Sequence, residues 1–146
     1  METRVQGSDF SRIYELAKRG DSEAKRKLGV IDGKRENYKE KLKWTELSAK
    51  QGNTKAQYSL GSMYAHGQGV VKNYKKANRL WRNAARKGDR EAEYGLGVSY
   101  FYGNGVAQNY KKAGVWWKKA AVQGDVESQF WLGQLYLNGA GVPLDY

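Results

Sequence analysis

Residues 88–123 read GDREAEYGLGVSYFYGNGVAQNYKKAGVWWKKAAVQ, and residues 52–87 read GNTKAQYSLGSMYAHGQGVVKNYKKANRLWRNAARK. Set one over the other, they share glycines, alanines, a tryptophan and the run Asn-Tyr-Lys-Lys-Ala without a gap. The pattern continues as GDVESQFWLGQLYLNGAGVPLDY (124–146), part of a further unit. It runs back through GDSEAKRKLGVIDGKRENYKEKLKWTELSAKQ (20–51), a worn copy four residues shorter. Residues 8–19 match only the second half of a unit and are expected to form a leading helix. Self-similarity at a fixed period of 36 residues marks a repeat architecture.

The columns of that repeat spell a helical hairpin. Gly20, Gly52, Gly88 and Gly124 are each followed by Asp or Asn. Such a pair stops one helix on a left-handed glycine and caps the next. Gly67/Gly69, Gly103/Gly105 and Gly139/Gly141 close the first helix of each unit and turn the chain. Asn37, Asn73, Asn109 and Asp145 then stand where a second helix begins. Ala56, Leu60 and Tyr64 recur as Ala92, Leu96 and Tyr100, spaced i, i+4, i+8 on one helix face. Ala77, Trp81, Ala84 and Ala85 recur as Ala113, Trp117, Ala120 and Ala121 on the second helix.

One column resists local explanation. Gly29, Gly61, Gly97 and Gly133 lie inside the first helices, where glycine costs about 1 kcal/mol against alanine. Close approach of a neighbouring helix backbone is the expected compensation. A hairpin of this kind cannot bury its own apolar face, whereas stacked copies bury it together. The fold class is therefore all-α, an α-solenoid of 36-residue helix-turn-helix units. Residues 1–146 are expected to form a single solenoid domain, with units at 20–51, 52–87, 88–123 and a half unit at 124–146.

The pattern A-x-x-x-L-G-x-x-Y-x-x-G-x-G-V, followed by N-Y-K-K-A and W-x-x-A-A-x-x-G, resembles the Sel-one-like repeat, a relative of the tetratricopeptide repeat. The resemblance is strong from residue 52 onward. It is weaker at 20–51, where the turn glycines are missing and Thr45, beside Trp44, holds the tryptophan column. The resemblance implies a right-handed superhelix serving as a scaffold for protein–protein contacts, commonly in bacteria. It implies no reaction.

Composition excludes much chemistry. There is no cysteine, hence no disulfide, thiol nucleophile or thiolate metal site. His66 is the only histidine, so no metal cluster or Ser-His-Asp arrangement has a second imidazole to use. Glu91, Glu93 and Glu127 fall near helix starts, where carboxylates suit the dipole. GNGVAQ (103–108) lacks the third glycine of a phosphate loop and recurs as a turn. A non-enzyme without metal or cofactor is the expectation. No run of 18 apolar residues suggests a membrane span. The opening METRVQGSDF has no apolar leader core, so a cytoplasmic location is expected.

The net charge of +11 collects on the second helices. Lys75, Lys76, Arg79, Arg82, Lys111, Lys112, Lys118 and Lys119 mark the convex side if the chain winds as its relatives do. Such a face is either ordinary solvated surface or a docking surface for an anionic partner. Specific nucleic-acid recognition is not expected, because the tryptophans sit in core columns.

Positions that repeat serve packing, and positions that differ are free for other work. Mapped by the resemblance, Tyr58, Ser62, His66, Tyr94, Val98, Phe101, Tyr102, Phe130 and Gln134 line the concave side of the first helices. A protein or peptide partner is expected there, in an adaptor, an inhibitor or an immunity protein. The alternative is an electrostatic binder of nucleic acid or anionic surface through the convex cations. Phe130, Trp131, Leu135 and Leu137 on the last helix form an apolar end suited to self-association.

Overall fold

Six helices follow one another in the computed structural model, which describes residues 37–139. They are α1 (37–50), α2 (Thr54–His66), α3 (Tyr74–Arg86), α4 (Arg90–Tyr102), α5 (Tyr110–Val122) and α6 (Val126–Asn138). The leading helix and residues 20–36 of the divergent unit lie outside the described residues, as do Gly141 and Asp145. By its contacts the chain divides into two units, Met1–Lys41 and Leu42–Tyr146. Of the first, only the helical and exposed residues 37–41 are described. The second is a stack of hairpins in which each helix packs against the one before it, α2 on α3, α3 on α4, and so on to α6. The fold is an all-α solenoid.

Each helix start is written in its cap. Asn53 Oδ1 accepts from the Ala56 N–H at 2.9 Å, Asp89 from Ala92 at 3.0 Å and Asp125 from Ser128 at 2.8 Å. The second helices open in the same way, on Asn73 and Asn109. A cap of this type stabilises its helix by about 1 kcal/mol. Between hairpins the chain reverses through Gly52, Gly88 and Gly124, with φ of 89°, 90° and 91°. That region strains any residue with a Cβ.

The interior glycines meet an indole rather than a backbone. A Cβ on Gly61 would lie 2.6 Å from Trp81 Cδ1, and one on Gly97 would lie 2.3 Å from Trp117 Cδ1. For Gly61 the Ala77 carbonyl oxygen, at 3.2 Å, is a secondary contact. The expected close backbone approach is thus replaced by ring-on-backbone packing. Each indole is held there by its own donor, Trp81 Nε1–H to the Tyr58 carbonyl and Trp117 Nε1–H to the Tyr94 carbonyl, both at 3.2 Å. Gly133, the last copy, faces open space.

The junctions between hairpins use different chemistry at one shared place. Asn78 and Ser99 form the middle pair, and the repeat register places Leu42 and Met63 at the same positions one unit earlier and Gly114 and Leu135 one unit later. The middle pair is buried and polar. Ser99 Oγ–H donates to Asn78 Oδ1 at 2.6 Å, and Asn78 Nδ2–H donates to the Asn104 carbonyl at 2.8 Å. Asn104 lies in the turn whose Gly105 runs against the start of α3, where a Cβ would come within 2.8 Å of Tyr74 Cβ. Asn78 therefore latches the turn of one hairpin onto the second helix of the previous one.

A second buried polar group marks the α4–α5 contact. Glu93 stands in a column filled by Gln57 in the unit before and Gln129 in the unit after. Those amides donate to the Ala49 and Ala121 carbonyls. An ionised Glu93 has no proton to give the matching Ala85 carbonyl, and instead accepts from Gln123 Nε2 at 2.5 Å. Burial holds its pKa above the ordinary 4.5, partly offset by Gln123 and Lys119. Folded Glu93 therefore takes up its proton before the unfolded chain does as pH falls. Its ionisation weakens the fold at pH 7, and that loss is recovered as pH drops through the raised pKa toward 4.5. Glu93→Gln is expected to raise the melting temperature at pH 7 by roughly 2–5 °C. The gap between variant and wild type should close near pH 4.5, as followed by circular dichroism. A gap that widens toward acid would contradict this.

Candidate functional site

The first helices α2 and α4 stand one hairpin apart, and their i, i+4, i+8 stripes face a common cavity of about 480 Å³. Tyr58, Ser62 and His66 come from α2, and Tyr94, Val98 and Tyr102 from α4. Lys72, Tyr74 and Trp81 also line the cavity, as does Glu91 in the first turn of α4. The Trp81 indole is bonded to the Tyr58 carbonyl and lies against Gly95, where a Cβ would come within 3.1 Å of the ring.

Polar groups around the cavity are set by their neighbours. His66 Nδ1 lies 2.8 Å from the Ser62 carbonyl oxygen. A carbonyl only accepts, so Nδ1 carries the proton and Nε2 is left for an incoming group. The Tyr94 hydroxyl is pushed up to about 12, chiefly by burial and next by its hydrogen bond with Glu127 of the following hairpin. It stays protonated at any physiological pH. Lys55 pairs with Asp89 at 3.1 Å and reaches Glu91 at 3.9 Å. The Asp89 bond raises the lysine pKa. Lys72 Nζ sits 4.6 Å from the Tyr74 ring centroid.

The remaining expected groove residues lie elsewhere. The Phe101 ring packs 5.1 Å from Tyr110, 5.6 Å from Trp117 and 6.2 Å from Trp131. With Gln134 it lines a separate cavity of about 270 Å³. Phe130 is exposed on α6, its ring edge-on to Trp131 at 5.3 Å. Of the apolar end of α6, Leu135 is core at 2 % exposure and Trp131 is stacked on Trp117 at 6.1 Å. Phe130 and Leu137 are the two that face solvent.

The second-helix cations divide into two kinds. Lys76 lies over the Tyr64 ring at 4.5 Å and Lys112 over Tyr100 at 5.5 Å, the same pairing one unit on. Arg82 Nη2 donates to the Tyr100 hydroxyl at 3.2 Å, and Lys119 caps Trp116 at 4.6 Å. Lys75, Arg79, Lys111 and Lys118 are exposed. Sequence reasoning placed all of these on one face and missed the rings beneath them. It also missed the Asn78–Ser99 latch, the Tyr94–Glu127 link and the burial of Glu93. Among the described residues no group of three metal-ligating side chains comes together, and no helix is long and apolar enough to cross a membrane.

A stacked-hairpin solenoid with a tyrosine-lined groove belongs to the class of helical-repeat scaffolds. The Sel1 repeat matches four times, at residues 22–53, 54–89, 90–125 and 126–146, and the chain belongs to the Sel1 repeat family. Sel1 repeats act in general as protein-interaction scaffolds. Among solved structures the chain is similar to a protective antigen present in uropathogenic Escherichia coli strains that displays an SLR fold. Identity is 32 % and the TM-score 0.72, over 94 % of this chain and 30 % of that one. It is also similar to a Sel1 repeat protein from Oxalobacter formigenes, at 29 % identity and a TM-score of 0.62, over 92 % of this chain and 49 % of that one. The chain thus spans half or less of the length of these two, and both are bacterial. No curated protein matches it.

Proposed function

We propose that the chain is a non-catalytic interaction scaffold whose groove between α2 and α4 holds a segment of one protein partner. An adaptor, or an inhibitor or immunity protein acting on one enzyme or toxin, fits this reading. The observation that carries it is the gathering of unlike residues in one cavity. Ser62, His66, Val98 and Tyr102 differ from unit to unit, yet converge between walls built from repeating ones. Large aromatic side chains at the centre of a cleft are the usual anchors of a protein interface. We also place the protein in the cytoplasm, where a chain without cysteine forgoes nothing.

The test is a pull-down from lysate of the source organism at about 0.15 M salt after nuclease treatment. It compares wild type with His66→Ala/Tyr102→Ala, two exposed positions whose truncation leaves the core intact. Wild type is expected to retain one discrete protein that the variant loses, with equal melting temperatures. Equal retention by both would place the partner elsewhere. A second reading, electrostatic binding of nucleic acid or an anionic surface, rests on α3 and α5 carrying cations and no acidic residue at all. Under that reading binding would fall steeply as salt rises, and nuclease would abolish it where the partner is a nucleic acid.

A further inference from the structure

Several of the differences between the two second helices fall on their exposed side. At the positions where α3 carries Arg79 and Arg86, α5 carries Val115 and Val122, and where α4 opens on Arg90, α6 opens on Val126. All three valines face solvent, at 52 %, 81 % and 74 % exposure. The fold does not ask for them, since arginine serves the same columns one unit earlier. Exposed valine is also a weaker helix former than arginine. Val115 and Val122 share a shallow cavity of about 500 Å³ with Lys118, Lys119 and Glu93. Seven helical residues separate them, about 10 Å along the axis, which is the span of two turns of a partner helix.

Charge says what covers this patch. Lys118 and Lys119 line the cavity beside the valines, Lys111 stands one helical turn before Val115, and none of the three makes an ion pair among the described residues, although Lys119 also lies over the Trp116 ring. The one carboxylate at the cavity, Glu93, is buried and bonded to Gln123. We propose that Val115 and Val122, rimmed by Lys111, Lys118 and Lys119, dock an acidic amphipathic helix of a partner protein, at a second surface distinct from the groove. Leucines spaced i, i+3, i+4 and i+7 would lie on the valines, with carboxylates on the lysines. A nucleic acid gains nothing from valine in place of arginine. A bilayer needs a larger apolar face than two valines supply.

The sign of one substitution separates these cases. Val115→Arg/Val122→Arg restores what α3 carries and adds two positive charges. If charge alone recruits the partner, this variant binds an acidic probe more tightly. If the valines are the seat, it binds more weakly despite the added charge. The probe is a fluorescein-labelled helical peptide of about 15 residues, leucine on one face and glutamate elsewhere. By fluorescence anisotropy, Kd is expected to rise about tenfold in the arginine variant. The charge-neutral Val115→Ser/Val122→Ser variant should lose a similar factor. Wild-type binding should weaken several-fold between about 0.05 and 0.3 M salt. Unchanged or tighter binding by the arginine variant would overturn the proposal, as would no binding to wild type at about 100 μM peptide. Valine-dependent binding to phosphatidylserine vesicles that exceeds peptide binding would instead assign the patch to membrane.

Discussion

Replacing Gly97 by alanine is expected to destabilise the chain by about 2–3 kcal/mol, although the same change in an isolated helix would stabilise it by about 1 kcal/mol. The added methyl carbon would arrive 2.3 Å from Trp117 Cδ1 and Nε1. The indole has nowhere to retreat. It is 1 % exposed, tied to the Tyr94 carbonyl at 3.2 Å, and covered by Phe101 and Trp131. Relief would require breaking that bond or parting α4 from α5. Gly133→Ala is the control, because the same repeat position there faces open space. It should be neutral or stabilise by up to about 1 kcal/mol. Urea unfolding followed by circular dichroism gives both values. Equal effects at the two glycines would mean that the indole is not what selects glycine at position 97.

The Asn78–Ser99 junction should behave as a unit. Asn78→Gly alone is expected to cost about 3 kcal/mol, since it strips a partner from Ser99 and Asn104 and adds a helix-interior glycine. Ser99→Leu alone should cost a similar amount by forcing an alkyl group against a buried amide. Together they reproduce Gly114 and Leu135, the residues at the same positions one unit later, where Leu135 is buried in an apolar cluster with Ala113 and Trp117. The double variant should therefore lose less than the sum of the singles, by about 1–3 kcal/mol. Simple additivity in the unfolding free energies would show that the two side chains do not act through each other.

Local chemistry was legible wherever a residue answers to its own backbone. Asp89, Asn109 and Asp125 cap the helices they precede, and Gly103 takes the left-handed turn its position demands. These depend on a few neighbours in sequence, and the 36-residue period multiplies the signal. The oddity of Gly97 was visible, but its cause was not, because Trp117 reaches it from 20 residues away. Phe101 and Tyr102 carried the same mark, since both diverge between units. Consecutive helical residues point about 100° apart, so Tyr102 lines the groove while Phe101 turns to Trp117 and Trp131. Glu93 read as a carboxylate suited to a helix start. It is also that, but α5 folds over it and removes it from water. Contacts that join one unit to the next, such as Tyr94 with Glu127, have no sequence signal short of the packed structure.

The groove reading stands or falls on where a partner touches. A photo-crosslinking amino acid in place of Tyr102 reports on the cavity between α2 and α4, and one in place of Lys75 reports on the exposed side of α3. Both proteins would be irradiated in lysate of the source organism at about 0.15 M salt, with adducts identified by mass spectrometry. A single protein adduct from position 102, absent from position 75, is the outcome that a groove-binding scaffold requires. Adducts from position 75 with none from position 102 would contradict it and leave the cationic helices as the working surface.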